Sequence, residues 1–226
     1  MNGQTNEAEK KPQDMKATSP VPTQLVRIRP YSTAVRVPRK NLERSGYFRA
    51  HADFAQQADG EQPPIKDIEV KPPDSLRVLD CLAYLSGHKL PAYCFEGSNW
   101  MSMLRNADYL QIDELLTMCY QSFWNEWKTT IKNPSFKHTT IPIIHIEKIL
   151  DIKTNPSSIE KAEVMLEWAN APNFRDQEPI YKLVRNHCTD ATWTRMGVRT
   201  LAQRFKDTLT QIVPADTWLQ MVLKRE

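Results

Sequence analysis

Apolar and basic residues take turns in Leu25-Val26-Arg27-Ile28-Arg29, and again in Ala34-Val35-Arg36-Val37. A period of two predicts strands, and Tyr31-Ser32-Thr33 between them predicts the turn of a hairpin. Pro38 ends the second strand and suits the first turn of a helix. Leu42, Tyr47 and Phe48 are the apolar points of the stretch that follows, and Gly46 predicts a bend or two short helices there. Residues 55–64 are polar, hold Pro63 and Pro64, and predict a loop. Ile65 to Val70 alternates again and predicts a third strand.

After Pro73 the period changes to that of a helix. Asp74 or Ser75 suits the N-cap, and Leu76, Leu79, Leu82, Ala83 and Ser86 follow at helical spacing until Gly87. Residues 88–98 predict a loop. Ser98 or Asn99 then caps a helix whose apolar face is Trp100, Met103, Leu104, Ala107 and Leu110. That helix breaks off in Ala107-Asp108-Tyr109-Leu110-Gln111-Ile112-Asp113-Glu114-Leu115. Asp113 has N-cap chemistry, Glu114 suits the first turn, and Ile112 is placed to staple the joint. The expectation is a tight corner between two helices, the second burying Leu115 or Leu116, Cys119, Phe123 and Trp127.

Further on, Ile143, Ile146, Ile149 and Leu150 predict a helix. Ser157 and Glu160 have capping-box spacing ahead of a helix with Val164, Met165 and Trp168 inward. Ile180, Leu183, Val184 and His187 predict another, and Trp193–Ile212 and Asp216–Leu223 two more, separated by Pro214. Residues 1–22 are polar and proline-bearing and predict a disordered tail.

Composition narrows the function classes. No apolar run reaches the ~20 residues of a membrane span and no apolar leader core opens the chain, so a cytoplasmic or nuclear protein is expected. The chain's +3 net charge is uneven: residues 1–50 carry ten Lys/Arg against four Asp/Glu. That excess could serve nucleic acid, but interleaved aromatics are missing, and a solvated face near an acidic partner is preferred. Cys81, Cys94, Cys119 and Cys188 form no C-x-x-C pair, and Cys81 and Cys119 fall on apolar faces as small hydrophobes. With six glycines there is no phosphate-binding loop and no nucleophile elbow. His145-Ile146-Glu147 is half of a deaminase signature without its cysteine half, so both polar residues are expected on the polar side of a helix. His51, His88, His138 and His187 lack metal-ligand spacing. No catalytic residue, cofactor or metal is assigned, and an enzyme is not the expected class.

Three stretches, in this order, resemble the BTB/POZ domain family across residues 24–128. Leu42-Glu43-Arg44-Ser45-Gly46-Tyr47-Phe48 is similar to the family's Leu…Ser-x-Tyr-Phe signature. Leu79 to Gly87 resembles its L-x-Y-x-Y-T-G helix end, and Ala107 to Leu115 its A-x-x-L-Q-[MI]-x-x-L. The resemblance implies an α+β fold: a BTB/POZ-type helical cluster flanked by a small sheet, residues 23–130. An all-α region, residues 131–226, would follow, and its Ser158 to Trp168 resembles a BACK segment. It also implies a protein-binding module that forms homodimers. The dimer residues would be Leu25, Val26, Ile28, Leu42, Tyr47 and Phe48, with the domain's own core as the competing destination of Leu42 and Phe48. An adaptor for a cullin-type ubiquitin ligase would dock through Phe54, Tyr84, Asp113 and Leu115. Trp193 and Trp218 would hold a further protein partner, unless they too are core. The chain departs from the family pattern at Thr23-Gln24, where an Asp often stands, and at Pro38, where a His often stands. At Gln56 it departs from the usual Glu of cullin adaptors, which puts cullin binding in question. The rival use is a non-ubiquitin nuclear scaffold, or a subunit of a transcription or nucleic-acid-associated complex, with no membrane partner and no direct nucleic-acid binding expected.

Overall fold

The alternating stretches pair as their pattern requires. In the computed structural model, which describes residues 21–59, 67–137, 140–152, 156–169 and Leu183, β1 (Thr23–Ile28) runs antiparallel to β2 (Thr33–Pro38). The register runs from Thr23 opposite Pro38 to Ile28 opposite Thr33. A third strand, β3 (Ile68–Val70), lies parallel to β1 on its other side, giving the order β2-β1-β3. Val26, Ile28, Val37, Ile68 and Val70 bury on the inner face. Arg27 and Arg29 stand on the outer face and pair with Asp67 (2.6 Å) and Glu69 (2.7 Å).

Helices cover the inner face. The chain passes through α1 (Arg39–Leu42) and α2 (Gly46–Asp59) before β3. Gly46 thus opens a helix, and α2 continues through residues expected to form a loop. Then come α3 (Val78–Leu85), a single 3-10 turn at Ala92–Phe95, α4 (Gly97–Tyr109), α5 (Asp113–Phe123) and α6 (Trp127–Thr130). Beyond them, α7 (Ile143–Asp151) packs on α5, and α8 (Ser158–Ala169) follows. The class is mixed α+β. The buried side chains form one apolar cluster from Val26 to Leu183.

Indole N–H donors stitch the helices through backbone carbonyls. Trp100 Nε1 donates to Cys119 O (2.7 Å), Trp124 Nε1 to Ile149 O (2.9 Å) and Trp168 Nε1 to Ile141 O (2.9 Å). Each satisfies a polar atom that burial would otherwise leave costly. Trp127 also buries, from α6 rather than α5. The capping box opens α8 as its spacing predicts: Ser157 Oγ accepts from Glu160 N (3.3 Å) and Glu160 Oε2 accepts from Ser157 N (2.8 Å).

Two helix starts differ from expectation. Leu76 lies before α3, not within it. Its N–H is taken by Asp74 Oδ1 (2.9 Å), its carbonyl accepts from buried Asn106 Nδ2, and Arg77 takes a left-handed φ of 65°. These bonds hold residues 74–77 as a turn, so the inward face becomes Val78, Cys81, Leu82 and Leu85, leaving Leu76 and Leu79 outside. In α4, Glu96 holds the N-cap position without a side-chain cap; Asn99 instead donates to Tyr93 O and accepts from Arg77. The predicted apolar face of α4 is buried throughout.

The corner between α4 and α5 forms, by a different device. Ile112 N–H bonds Ala107 O (2.9 Å) and Gln111 N–H bonds Asp108 O (3.0 Å), with Gln111 left-handed at φ 52°. This is a Schellman ending, with buried Ile112 and Ala107 as its apolar contact. Asp113 is the first residue of α5, not its cap: Ile112 holds that position and no side chain caps it. Asp113 and Glu114 still place negative charge in the first turn, where the helix dipole favours it.

Candidate docking surfaces

The break in the helix leaves two carbonyls pointing sideways, and the α1–α2 connection uses them. Ser45 Oγ donates to Leu110 O (2.5 Å) and Gly46 N–H donates to Gln111 O (3.0 Å). Ser45 is fully buried and its Oγ also accepts from Phe48 N (3.3 Å), capping α2. Gly46 is required at this contact: a Cβ there would lie 2.3 Å from Gln111 Oε1 and 3.0 Å from Gln111 Cβ.

The same joint takes in the end of α3. Glu114 accepts from Arg44 and from Tyr84 Oη (2.7 Å), and the Arg44 guanidinium stacks 4.7 Å over the Tyr84 ring. The Arg44 hydrogen bond, helped by Tyr84, holds the Glu114 carboxyl below its ordinary pKa. Burial, then Glu114, pushes the Tyr84 hydroxyl up. All three stretches singled out in the sequence therefore converge at one joint.

The residues assigned to a dimer interface fare otherwise. Val26, Ile28, Leu42 and Phe48 bury in the protein's own core, so they are not available to a partner. Tyr47 is half-buried, its ring 5.3 Å from Phe48 and 5.2 Å from Tyr109, and burial pushes its hydroxyl up to about 12. Leu25, on the outer face, is partly exposed. Of the second group, Leu115 is fully buried because α5 turns it inward and leaves Leu116 half-buried at the edge of the core, while Asp113 is exposed and Tyr84 is held by Glu114. The side chain of Phe54, and Trp193 and Trp218, lie outside the described residues, as do His138 and His187. The outer-face arginines are neutralised by Asp67 and Glu69, which removes part of the basic excess from any phosphate-binding surface.

Two surfaces were not read from the sequence. One is the outward stripe of Leu76, 59 % exposed, and Leu79, 47 % exposed; Tyr93, also exposed, lies nearby under the Arg77 guanidinium at 5.0 Å. The signal was present, since two helical frames through this segment are both apolar and only one can face the core.

The other is a groove of about 530 Å³ between α5 and α7, lined by Leu116, Tyr120, Ile144 and Ile152 and bordered by Asp108, Asp113 and Asp151. At its base lies His145, buried rather than on a polar helix face. Its Nδ1 is 2.9 Å from Tyr120 Oη and its Nε2 3.5 Å from Asp108 Oδ1. A neutral imidazole that accepts at Nδ1 and faces Asp108 with Nε2–H satisfies both contacts. Burial lowers the His145 pKa against the pull of Asp108, and burial raises Tyr120 to about 12. Both groups are thus uncharged at neutral pH, which suits a structural bridge among three helices better than proton transfer.

Among the described residues, no three His, Cys, Asp or Glu side chains are grouped to hold a metal, and no helix is long and apolar enough to cross a membrane. The buried thiols of Cys81 and Cys119 are pushed up by desolvation, which suppresses thiolate chemistry. No protein-family model, curated protein or solved structure matches the chain.

Proposed function

We propose that this chain is a BTB/POZ-type protein-interaction module that self-associates and serves as an adaptor or scaffold. The observation that carries the reading is the outward apolar pair of Leu76, in the turn before α3, and Leu79, on the outer side of a helix already apolar on its inner side. Exposed apolar clusters of this kind mark interaction sites, and a two-fold partner would cover both copies at once. The order of elements agrees with the resemblance, and its three motif stretches meet at one joint. The self-association surface is accordingly moved from β1 to α3.

Light scattering at low micromolar concentration tests the reading, comparing the wild type with the Leu76→Asp/Leu79→Asp double variant. The expected outcome is a wild-type dimer and a folded monomeric variant. A monomeric wild type overturns self-association, and a dimer that survives the double substitution overturns the assigned surface. The finer proposal, docking to a cullin-type ligase scaffold, is tested by pull-down with purified cullin N-terminal domains. Gln56, in place of an acidic residue, weighs against it, and no capture at high micromolar protein ends it.

A further inference from the structure

The groove between α5 and α7 is a second surface with its own chemistry. Above its His145–Tyr120 base the lining is aliphatic at three positions: Leu116 from α5, and Ile144 and Ile152 from α7 and its end. Ile144 is 50 % exposed, an unusual state for an isoleucine on a helix that buries Ile146, Ile149 and Leu150 on its other side. Asp108, Asp113 and Asp151 stand along the groove, and Lys148 is the one Lys or Arg among its described lining residues. The nine residues of α7 span about 14 Å at the rise of an α-helix, room for about two turns of a docked helix or four extended residues.

An aliphatic patch edged with carboxylates selects against acidic ligands, whose charge would be repelled, and against plain polar ones, which leave the patch wet. It favours aliphatic side chains flanked by cations, which gain both burial and charge complementarity. We propose that this groove docks a short basic amphipathic segment of a protein partner, its aliphatic side chains on Leu116, Ile144 and Ile152 and its lysines or arginines facing Asp108 and Asp113. The proposal rests on the reading of the chain as an interaction module and adds the partner's chemistry. The His145–Tyr120 bridge fixes the base of the groove, so the site is formed before a ligand arrives.

The test is selection of a random peptide library on the full chain, followed by fluorescence anisotropy with the enriched peptides. The expected result is enrichment of Lys/Arg with aliphatic residues at alternate or helical spacing, and affinity that falls with added salt. Asp113→Lys and Ile144→Lys, both at exposed positions, should each weaken binding about tenfold or more. Circular dichroism should show both variants folded, and the second keeps the test valid if the first does not fold. No enrichment, enrichment of acidic or uncharged peptides, or basic peptides indifferent to both groove substitutions each overturns the proposal. Light scattering on the same variants separates the two readings. The oligomeric state should match the wild type when peptide binding is lost, so failure here leaves self-association through α3 standing.

Discussion

Gly46 and Gln111 form a pair whose coupling can be predicted in sign. Alanine normally stabilises a helix over glycine, by about 0.4–1 kcal/mol where the backbone accepts it. At position 46 the new Cβ would sit 2.3 Å from Gln111 Oε1 and 3.0 Å from Gln111 Cβ. The amide end of Gln111 can swing away. Its Cβ is tied to a backbone held by the 3.0 Å bond from Gly46 N–H to Gln111 O, so the contact is relieved only by loosening that bond. Overpacking of this kind costs about 1–3 kcal/mol, which exceeds the entropic gain, so Gly46→Ala should destabilise by about 1–2 kcal/mol. Gln111→Gly removes both the obstructing Cβ and the strain of a left-handed non-glycine residue, and alone should stabilise by about 0.5–1 kcal/mol. In that background Gly46→Ala should turn neutral or stabilising. Urea unfolding of the four proteins, monitored by circular dichroism, gives the cycle, with an expected coupling of about 1.5–3 kcal/mol. Additivity within about 0.5 kcal/mol, or a stabilising Gly46→Ala in the wild-type background, refutes the close approach of these two residues.

Ser45→Ala removes the donor to Leu110 O and the cap on Phe48 N–H, and should cost about 2 kcal/mol, read as a lowered urea midpoint; a loss under about 0.5 kcal/mol contradicts the buried clip. Phe123→Ala empties a site bounded by Trp100, Trp124 and Phe136, and should cost about 3–5 kcal/mol in the same assay, with near-native stability as the refuting result. His145 has its folded pKa lowered by burial, so the unfolded chain takes up the proton first as pH falls. Its contribution is fully present above the unfolded value of about 6.5 and is lost as pH drops through the lower folded one, so His145→Gln should flatten the fall in urea midpoint across that window. An unchanged slope shows that another group titrates there. Cys81 and Cys119 should resist iodoacetamide at mildly alkaline pH in the native protein and react once it is unfolded, as peptide mass spectrometry would report; native labelling of either contradicts their burial.

Period alone located most elements, because burial on one face leaves a trace at two or at three to four residues. The hairpin, the inward face of α4 and the capping box of α8 were legible for that reason. Period could not choose between two apolar frames, and α3 has two. The choice was made by Asp74 and Asn106, whose side chains hold Leu76 in a turn from outside the helix. Nor could it see that His145, with isoleucines near it in sequence, would find Tyr120 and Asp108 from two other helices and so become buried. Those partners lie 25 and 37 residues away in the chain, beyond any local pattern. The apolar stripe and the groove, the two surfaces on which the functional reading now stands, both follow from such long-range choices.

The corner at Gln111 shows why a helix should stop where its apolar pattern could have continued. Within an unbroken helix, the carbonyls of Leu110 and Gln111 would accept from residues four further along and would be closed to anything else. The Schellman ending at Gln111 turns both outward, one toward Ser45 Oγ and the other toward Gly46 N–H. The left-handed turn is held by Gln rather than Gly, at a local cost that the two tertiary hydrogen bonds and the burial of Ile112 offset. Glu114, one turn on, then reaches Arg44 and Tyr84 and adds the end of α3. The break therefore joins segments about 65 residues apart in the chain, and it sets how α5 lies against its neighbours. Since α5 forms one wall of the groove, and the start of α5 is bonded to the end of α3, disturbing this joint should move both docking surfaces together. Surface substitutions at Leu79 or Ile144 should move only one.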